Sequence, residues 1–384
     1  MKNFTQQQAP EAATTNLRFF FITASSFISG KEIVTLQVAR ILRQAGCRIF
    51  FMLNNWSDGR FAAQITEEGF EHAAAKLGWV YFRKLRWTLD SLWHWPRAYS
   101  TVRRKLKDEK PDYIYVDSYR QVLLFFPLLK KYPVIYHVHD ASGNTGAERK
   151  FMHWAARYVH RYLAVSAFIR SDLEQIGMDP SKITVLHNAV DIPDFIRHPE
   201  LTNPVYQLGI VGQVIEKKGH DVLLRACQLL KAKAIPFRLH IFGNSATEYG
   251  RRLRELAKEL ELEQEVIWAG FQTNKSEIYS RIHVLIAPTQ QEEPFGLVAA
   301  EAMAYEVPVI ASRSGGFLET VVDQETGLLI DGSDPRAIEA AINVYVQNPE
   351  MIQQHGKQGR SRVIRYFSSN RLKQDLYSLL QISQ

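Results

Sequence analysis

The pattern that most constrains the fold is an alternation. Short apolar, β-branched runs are separated by longer amphipathic segments along almost the whole chain. Such runs suit strands buried on both faces, and the segments between them carry apolar residues at helical spacing. Strand–helix–strand units of this kind build parallel sheets flanked by helices. In the first half the pattern predicts strands at Arg18–Ala24, Cys47–Leu53, Tyr113–Val116, Val134–Val138, Tyr162–Val165 and Ile183–Leu186. Helices are expected at Lys31–Gln44, Leu89–Lys107, Ala147–His160 and Ala167–Ile176. The alternation stops at a polar stretch holding Pro193, Pro199 and Pro204, the composition of a linker. It restarts with strands at Tyr206–Val211, Arg238–Phe242, Val266–Ala269, Val284–Ala287, Val307–Ala311 and Leu328–Ile330, and helices between them. A chain of 384 residues is also too long for one ordinary core. Two α/β domains are expected, residues 1–200 and 201–366, with a last helix within 367–384.

Composition narrows the functional classes. Apolar residues make up 46 % and charged residues 23 %, ordinary for a globular protein. Cys47 and Cys227 form neither a disulfide framework nor a metal motif, and their apolar neighbours suggest buried thiols. The polar N-terminus has no signal-peptide core, and Leu17–Ile28 is too short and too interrupted to span a bilayer. A cytoplasmic location is the expectation.

The formal charge of +7 is unevenly spread, because residues 79–110 alone carry a net +6. Trp79, Tyr81, Phe82, Trp87, Trp93, Trp95 and Tyr99 are interleaved with those charges. One reading is an amphipathic helix, Leu89–Lys107, with aromatic residues in the core and basic residues in water. The other is a peripheral contact with the inner membrane surface. No recognition motif accompanies the charge, so nucleic acid is not an expected partner.

The most informative stretch runs from Pro288 to Met303. A predicted strand ends at Ala287, a polar loop follows, and a helix begins near Gly296 or Leu297. Loops at the carboxyl ends of parallel strands are where α/β proteins bind ligands. The first amides of such a helix lack internal partners and favour an anion such as a diphosphate. Glu293 lies just before this start and Glu301 about one turn in. Carboxylates accept paired hydrogen bonds from vicinal hydroxyls, although each could equally be an ordinary helix-start or exposed-face residue.

Glu293-Pro-Phe-Gly-Leu-Val-Ala-Ala-Glu301, followed by Val307-Pro-Val-Ile-Ala and Ser314-Gly-Gly316, resembles the E-x7-E signature of retaining family-4 (group 1) glycosyltransferases. The resemblance covers nearly the whole chain. It implies the GT-B fold, in which two Rossmann-like domains face each other across a cleft and the C-terminal helix crosses back to the first. The first domain would bind the acceptor and the second the nucleotide-sugar. Gly212-Gln-Val-Ile-Glu-Lys-Lys-Gly219 resembles the phosphate segment, with Lys218 placed to neutralise the leaving diphosphate. Gln213 stands where an arginine is usual, which removes one cation; Lys217 and Arg313 are the candidate replacements. The resemblance assigns Glu293 to sugar hydroxyls and Glu301 to the ribose diol.

Other segments agree. Phe242-Gly243-Asn244 and Trp268-Ala-Gly270 resemble strand ends that border the nucleotide, and Phe295, Gly296 and Leu297 supply the helix-start amides. Gly30 sits in Ser29-Gly-Lys-Glu32, similar to the family's Gly-Gly-x-Glu loop with Ser29 in place of the first glycine. His139 ends a strand where the family carries a histidine near the donor sugar, and His137 is a weaker candidate on the same face. Val165-Ser166 and Leu186-His-Asn188-Ala-Val-Asp191 are also similar, with Ala189 replacing a glycine.

The implied reaction is retaining hexosyl transfer from a UDP- or GDP-linked donor to a saccharide or lipid-linked acceptor. No cofactor or metal is expected, since no Asp-x-Asp pair is recognised as a metal site. The alternative is a catalytically silent homologue acting as a nucleotide-sugar-binding or partner subunit, suggested by Gln213, Ser29 and Ala189.

Overall fold

The run Arg18-Phe-Phe-Phe-Ile22 seeds the first sheet, with every residue after Arg18 buried. Apolar residues on both faces suit a central parallel strand. Phe20 stacks on Phe50 at 5.2 Å and Phe21 on Tyr115 at 4.3 Å, so aromatic pairs lie across neighbouring strands. Burying each such ring contributes about 1.5–3 kcal/mol.

The computed structural model describes residues 16–24, 30–56, 58–78, 85–141, 146–199 and 205–381. Seven strands form the first sheet: β1 (Arg18–Ile22), β2 (Arg48–Asn54), β3 (Glu71–Ala75), β4 (Tyr113–Val116), β5 (Val134–Val138), β6 (Arg161–Ala164) and β7 (Ile183–Val185). Their order is β3-β2-β1-β4-β5-β6-β7, and all pairs are parallel. The second sheet has β8 (Tyr206–Val211), β9 (Phe237–Phe242), β10 (Val266–Gly270), β11 (Val284–Ala287), β12 (Val309–Ser312) and β13 (Gly327–Ile330). Its order is β10-β9-β8-β11-β12-β13, again all parallel. Both sheets are Rossmann-like. In each, the winding reverses beside the first strand, between β1 and β4 and between β8 and β11. Parallel sheets of this kind bind ligands at the carboxyl ends of the strands around that reversal.

The chain divides into two compact units. The first takes in the described residues up to Ala164, Leu173–Leu186, and the chain from Lys373. The second takes in Val165–Asp172 and His187–Leu372. The return of the C-terminal segment to the first unit agrees with the GT-B arrangement. The second unit has its own core, in which Leu208, Ile210, Leu223, Leu239, Ile286 and Ile310 are nearly or fully buried. Cys47 and Cys227 are both buried, free thiols.

Four elements depart from the expectation. Strand β3 reads Glu-His-Ala-Ala-Ala and has no β-branched residue; its pairing with β2 makes it a strand. Helices Arg60–Glu67 and Tyr119–Leu129 were not among those expected. The basic aromatic segment is a helix, Leu85–Glu109, yet Trp93 is 80 % exposed and Trp87 46 %. Aromatic residues in the core therefore describes half-buried Trp95 and Tyr99 better than those two. Trp79, Tyr81 and Phe82 lie outside the described residues, as do Ser29 and the middle of the proline-rich linker.

Candidate active site

The second unit assembles its site from two loops flanking the reversal point. One follows β8 and carries Gly212, Gln213 and Lys218 before helix His220–Ala232. The other follows β11 and carries Glu293 and Gly296 before helix Leu297–Ala304. The Gln290 amide donates to the Lys217 carbonyl at 2.8 Å, and the Gln290 side chain donates to the Pro288 and Gly332 carbonyls. A Cβ on Gly219, whose φ is +71°, would stand 2.0 Å from the Pro288 carbonyl oxygen. Only glycine lets the two loops approach this closely.

Within that frame the Lys218 ammonium donates to Glu293 Oε2 at 2.6 Å. Both side chains keep about a fifth to a quarter of their surface open, so the pair is accessible to a ligand. The Glu293 backbone is fixed as well: its carbonyl accepts the Gly316 amide at 2.6 Å, and the next carbonyl, of Pro294, accepts the Ser166 hydroxyl at 2.5 Å.

Glu301 has a separate pair of partners. Its Oε2 accepts from Lys275 Nζ at 2.7 Å and from the Tyr279 hydroxyl at 3.1 Å. Tyr279 is buried and stacks on Tyr305 with centroids 5.1 Å apart. Burial, with the Glu301 charge beside it, pushes the Tyr279 phenol well above its usual value, so it stays a donor. Lys275 and Tyr279 carry no local motif; they reach Glu301 because helix Lys275–Tyr279 precedes β11 in the fold.

Three of the expected glycines sit side by side at strand ends. The Gly212 amide donates to the Phe242 carbonyl and the Gly243 amide to the Gly270 carbonyl, each at 2.9 Å. Asn244 uses its side-chain oxygen locally, accepting the Ala246 amide at 3.0 Å. Gly296 caps helix Leu297–Ala304 with φ +89°, and the helix points its first amides, which lack intrahelical partners, at the loop. Phe295 contributes backbone alone: its ring is 2 % exposed and packs edge-on against Phe367. Leu297 is half-buried.

Gln213 is exposed, and the two candidate replacement cations differ. Arg313 is paired at its own strand end, donating to Asp323 and to the Leu329 carbonyl at 2.8 Å. Lys217 is exposed beside Lys218. Glu319, also unassigned by sequence, braces the same unit. It accepts the Ala167 and Phe168 amides at 2.8 Å each and faces His187 Nε2 at 3.1 Å. Burial alone would raise this carboxyl; those hydrogen bonds outweigh it and hold it below its ordinary value.

Gly30 and His139 belong to the first unit. Gly30 opens helix Gly30–Gln44, and the next two residues enter a buried polar cluster. Lys31 Nζ lies 3.8 Å from both Glu32 and Asp117, and Asp117 accepts the Ala24 amide at 2.8 Å. Burial would lower Lys31, but the two carboxylates win and hold its ammonium above the usual value. Burial pushes the Asp117 carboxyl up despite Lys31. His137 is fully buried, shares a hydrogen bond with the Tyr115 hydroxyl at 2.5 Å, and is pushed by burial down to about 3. It is a core histidine. His139 is 9 % exposed, its Nε2 has no hydrogen-bond partner, and burial holds it neutral, well below its usual value.

Comparison with known proteins gives one consistent result. Residues 28–193 match the family described as Glycosyltransferase Family 4, and residues 192–362 match Glycosyl transferases group 1. The chain is 29 % identical over 185 residues to the capsular polysaccharide biosynthesis glycosyltransferase CapM of Staphylococcus aureus, covering 48 % of each chain. It is 27 % identical over 267 residues to the putative colanic acid biosynthesis glycosyltransferase WcaL of Salmonella typhimurium, covering 65 % of this chain and 64 % of that one. A D-inositol 3-phosphate glycosyltransferase of Corynebacterium urealyticum is 33 % identical over 182 residues, 45 % of this chain and 43 % of its own. The chain spans about half the length of the curated relatives it matches. Among solved structures, Anabaena Alr3699/HepE in complex with UDP and glucose superimposes with a TM-score of 0.80 at 17 % identity. That match covers 95 % of this chain and 100 % of the other. The lipopolysaccharide outer core galactosyltransferase WaaB, in its apo form, gives 0.72 at 20 % identity, covering 95 % and 99 %.

Proposed function

The chain belongs to the family-4, group 1 glycosyltransferases and has their GT-B fold, and from that premise we propose that it moves a hexose-type sugar from a UDP- or GDP-linked donor to a saccharide or lipid-linked acceptor, with retention and without a metal. The observation that carries the proposal is the pairing of both signature carboxylates with cations around one helix start: Glu293 with Lys218, and Glu301 with Lys275. The Anabaena structure holds UDP and glucose, which favours a UDP-sugar; relatives in capsular and colanic acid biosynthesis favour a saccharide acceptor.

Transfer breaks the bond between the anomeric carbon and the diphosphate oxygen and forms one to an acceptor oxygen. Negative charge grows on the departing phosphate, positive charge on the sugar ring, and the acceptor proton passes to the leaving phosphate. Interactions that strengthen as this charge separates lower the barrier. Lys218 and the amides from Phe295 to Leu297 meet the diphosphate. On its arrival Lys218 turns part of its charge from Glu293 to phosphate, freeing Glu293 for sugar hydroxyls. Glu301, oriented by Tyr279 and Lys275, takes the ribose diol. His139, held neutral by burial, hydrogen-bonds the donor sugar. Lys218→Ala is expected to lower kcat about 100- to 1,000-fold, the cost of removing one pre-organised donor to a developing anion.

A second reading, a silent nucleotide-sugar-binding subunit, is favoured by one observation: Gln213 stands in place of a cation while Arg313 is paired with Asp323. Calorimetric titration with UDP, GDP and ADP in EDTA, on wild type and Glu301→Ala, tests the donor site. Micromolar binding of one nucleotide, lost in the variant, is expected. No binding by any of the three would overturn the donor-site assignment. Binding without sugar transfer to any acceptor tried would favour the silent subunit.

A further inference from the structure

The first sheet gathers three arginines at the amino-terminal ends of its strands, the end opposite Gly30 and His139. Arg18 begins β1, Arg48 begins β2, and Arg43 lies in the last turn of helix Gly30–Gln44. All three are exposed. Arg18 and Arg48 are register partners on neighbouring strands, so their side chains leave the same face of the sheet. Like charges set side by side on paired strands repel. Two of the three are positioned without being neutralised. Arg18 Nη1 donates to the Glu109 carbonyl at 3.4 Å, and Arg43 Nη1 to the Glu68 carbonyl at 2.7 Å with its guanidinium 3.9 Å above the Phe70 ring. The nearby carboxylates are engaged: Asp112 accepts the Arg18 backbone amide at 2.8 Å, and Glu68 accepts from Arg40 at 2.8 Å. Arg48 faces Glu71 at 3.6 Å, but both side chains are 63 % exposed, and so open a pair is weak.

These arginines line one cavity of about 220 Å³, together with Phe19, Phe50, Phe70, Glu71 and Glu109. Three guanidinium groups therefore meet two carboxylates. The cavity is smaller than the roughly 300–1,000 Å³ sites of drug-sized ligands. Its walls are part cationic and part aromatic, so the fitting occupant is a small anion with an organic body. Guanidinium forks match phosphate oxygens two at a time. A phosphomonoester carries close to two negative charges near neutral pH, enough to offset Arg18 and Arg43 together. We propose that this cavity is a binding site for a small, soluble phosphomonoester. Its ligand would touch none of the residues assigned to sugar transfer, because in a parallel α/β unit the reacting groups gather at the carboxyl ends of the strands.

Titration calorimetry on the full chain uses glucose 6-phosphate as the probe, with glucose and inorganic phosphate as its two halves. The Lys218→Ala protein is titrated beside wild type, since Lys218 is the lysine proposed for the donor phosphates. Both proteins are expected to bind the ester equally, to bind inorganic phosphate less tightly and to ignore glucose. Arg18→Gln and Arg43→Gln should each weaken binding about tenfold or more, the worth of a hydrogen bond to a charged group. Neither should change nucleotide affinity or lower the unliganded thermal midpoint, because both side chains are exposed and a cation is removed from a crowded edge. Cys47 lines the same cavity and reports its occupancy. Its alkylation by N-ethylmaleimide should slow when the ester is bound, while Cys227, in the core of the second unit, reacts at an unchanged rate. Loss of ester binding in Lys218→Ala would place the ester at the donor site and overturn the proposal. So would binding that survives the Arg18→Gln/Arg43→Gln double change, no binding of the ester by wild type, or binding to phosphatidic acid vesicles without binding of the soluble ester.

Discussion

Glu301 shows how much of a site residue's behaviour is set by partners distant in sequence. Its two partners are 26 and 22 residues away and differ in setting. Lys275 has a side chain 40 % exposed, and exposed ion pairs contribute about 0–1 kcal/mol. Tyr279 is 1 % exposed, and a buried hydrogen bond to a charged group contributes about 1.5–3 kcal/mol. If Glu301 holds the ribose, Tyr279→Phe should weaken nucleotide binding by roughly tenfold or more, and Lys275→Met by about fivefold at most. Isothermal titration of both variants checks this ordering. A Tyr279→Phe protein with wild-type affinity would contradict the role given to Glu301.

At the scale of elements, the loop before helix Leu297–Ala304 is held by the segment after β12. Gly315 has φ +54°, and a Cβ there would stand 2.4 Å from the Glu293 carbonyl oxygen. Gly59 offers a control, with φ +77° and nothing within 4 Å of a built Cβ. Gly59→Ala should lower stability by about 1–2 kcal/mol through backbone strain and leave nucleotide binding intact. Gly315→Ala carries the same strain and must also displace Glu293, so nucleotide-sugar affinity should fall with stability. Urea denaturation and calorimetry separate the two; equal binding by both variants would contradict the coupling. Elements differed in legibility for a related reason. β1 and β11 were plain because runs such as Arg18–Ile22 bury almost every residue. Strand β3 was not, because nothing in Glu-His-Ala-Ala-Ala prefers extended backbone and only its register with β2 decides. The site divides likewise. Lys218, Glu293 and Glu301 stand in compact motifs, whereas Lys275, Tyr279 and Glu319 act across the fold. The outward turn of Trp93 was open in sequence, because a stripe at helical spacing does not say which side meets the sheet.

Over the whole molecule, buried histidines couple stability to pH. His137 and His139 lie in the first unit, His220 and His240 in the second. Burial holds His139 well below its ordinary value, pushes His137 down to about 3, and pushes His220 and His240 each to about 4. In the unfolded chain each titrates near 6.5. Below that pH the unfolded state therefore binds more protons than the native one. Their contribution is complete above about pH 6.5 and is lost as the pH falls toward the folded values. Each group adds a slope of at most about 1.4 kcal/mol per pH unit. Asp117, whose carboxyl is raised by burial, works in the opposite direction, one carboxyl against these four histidines and His355, which burial also holds below its ordinary value. Carboxylates held low, such as Glu319 and Asp323, add to the acid sensitivity only nearer pH 4. The urea midpoint should therefore fall steadily from pH 7 to pH 5. Because each unit carries two of these histidines, tryptophan fluorescence and circular dichroism should report the same shift. A midpoint that stayed level or rose over this range would mean that the histidines are hydrated or paired in solution, contrary to their burial.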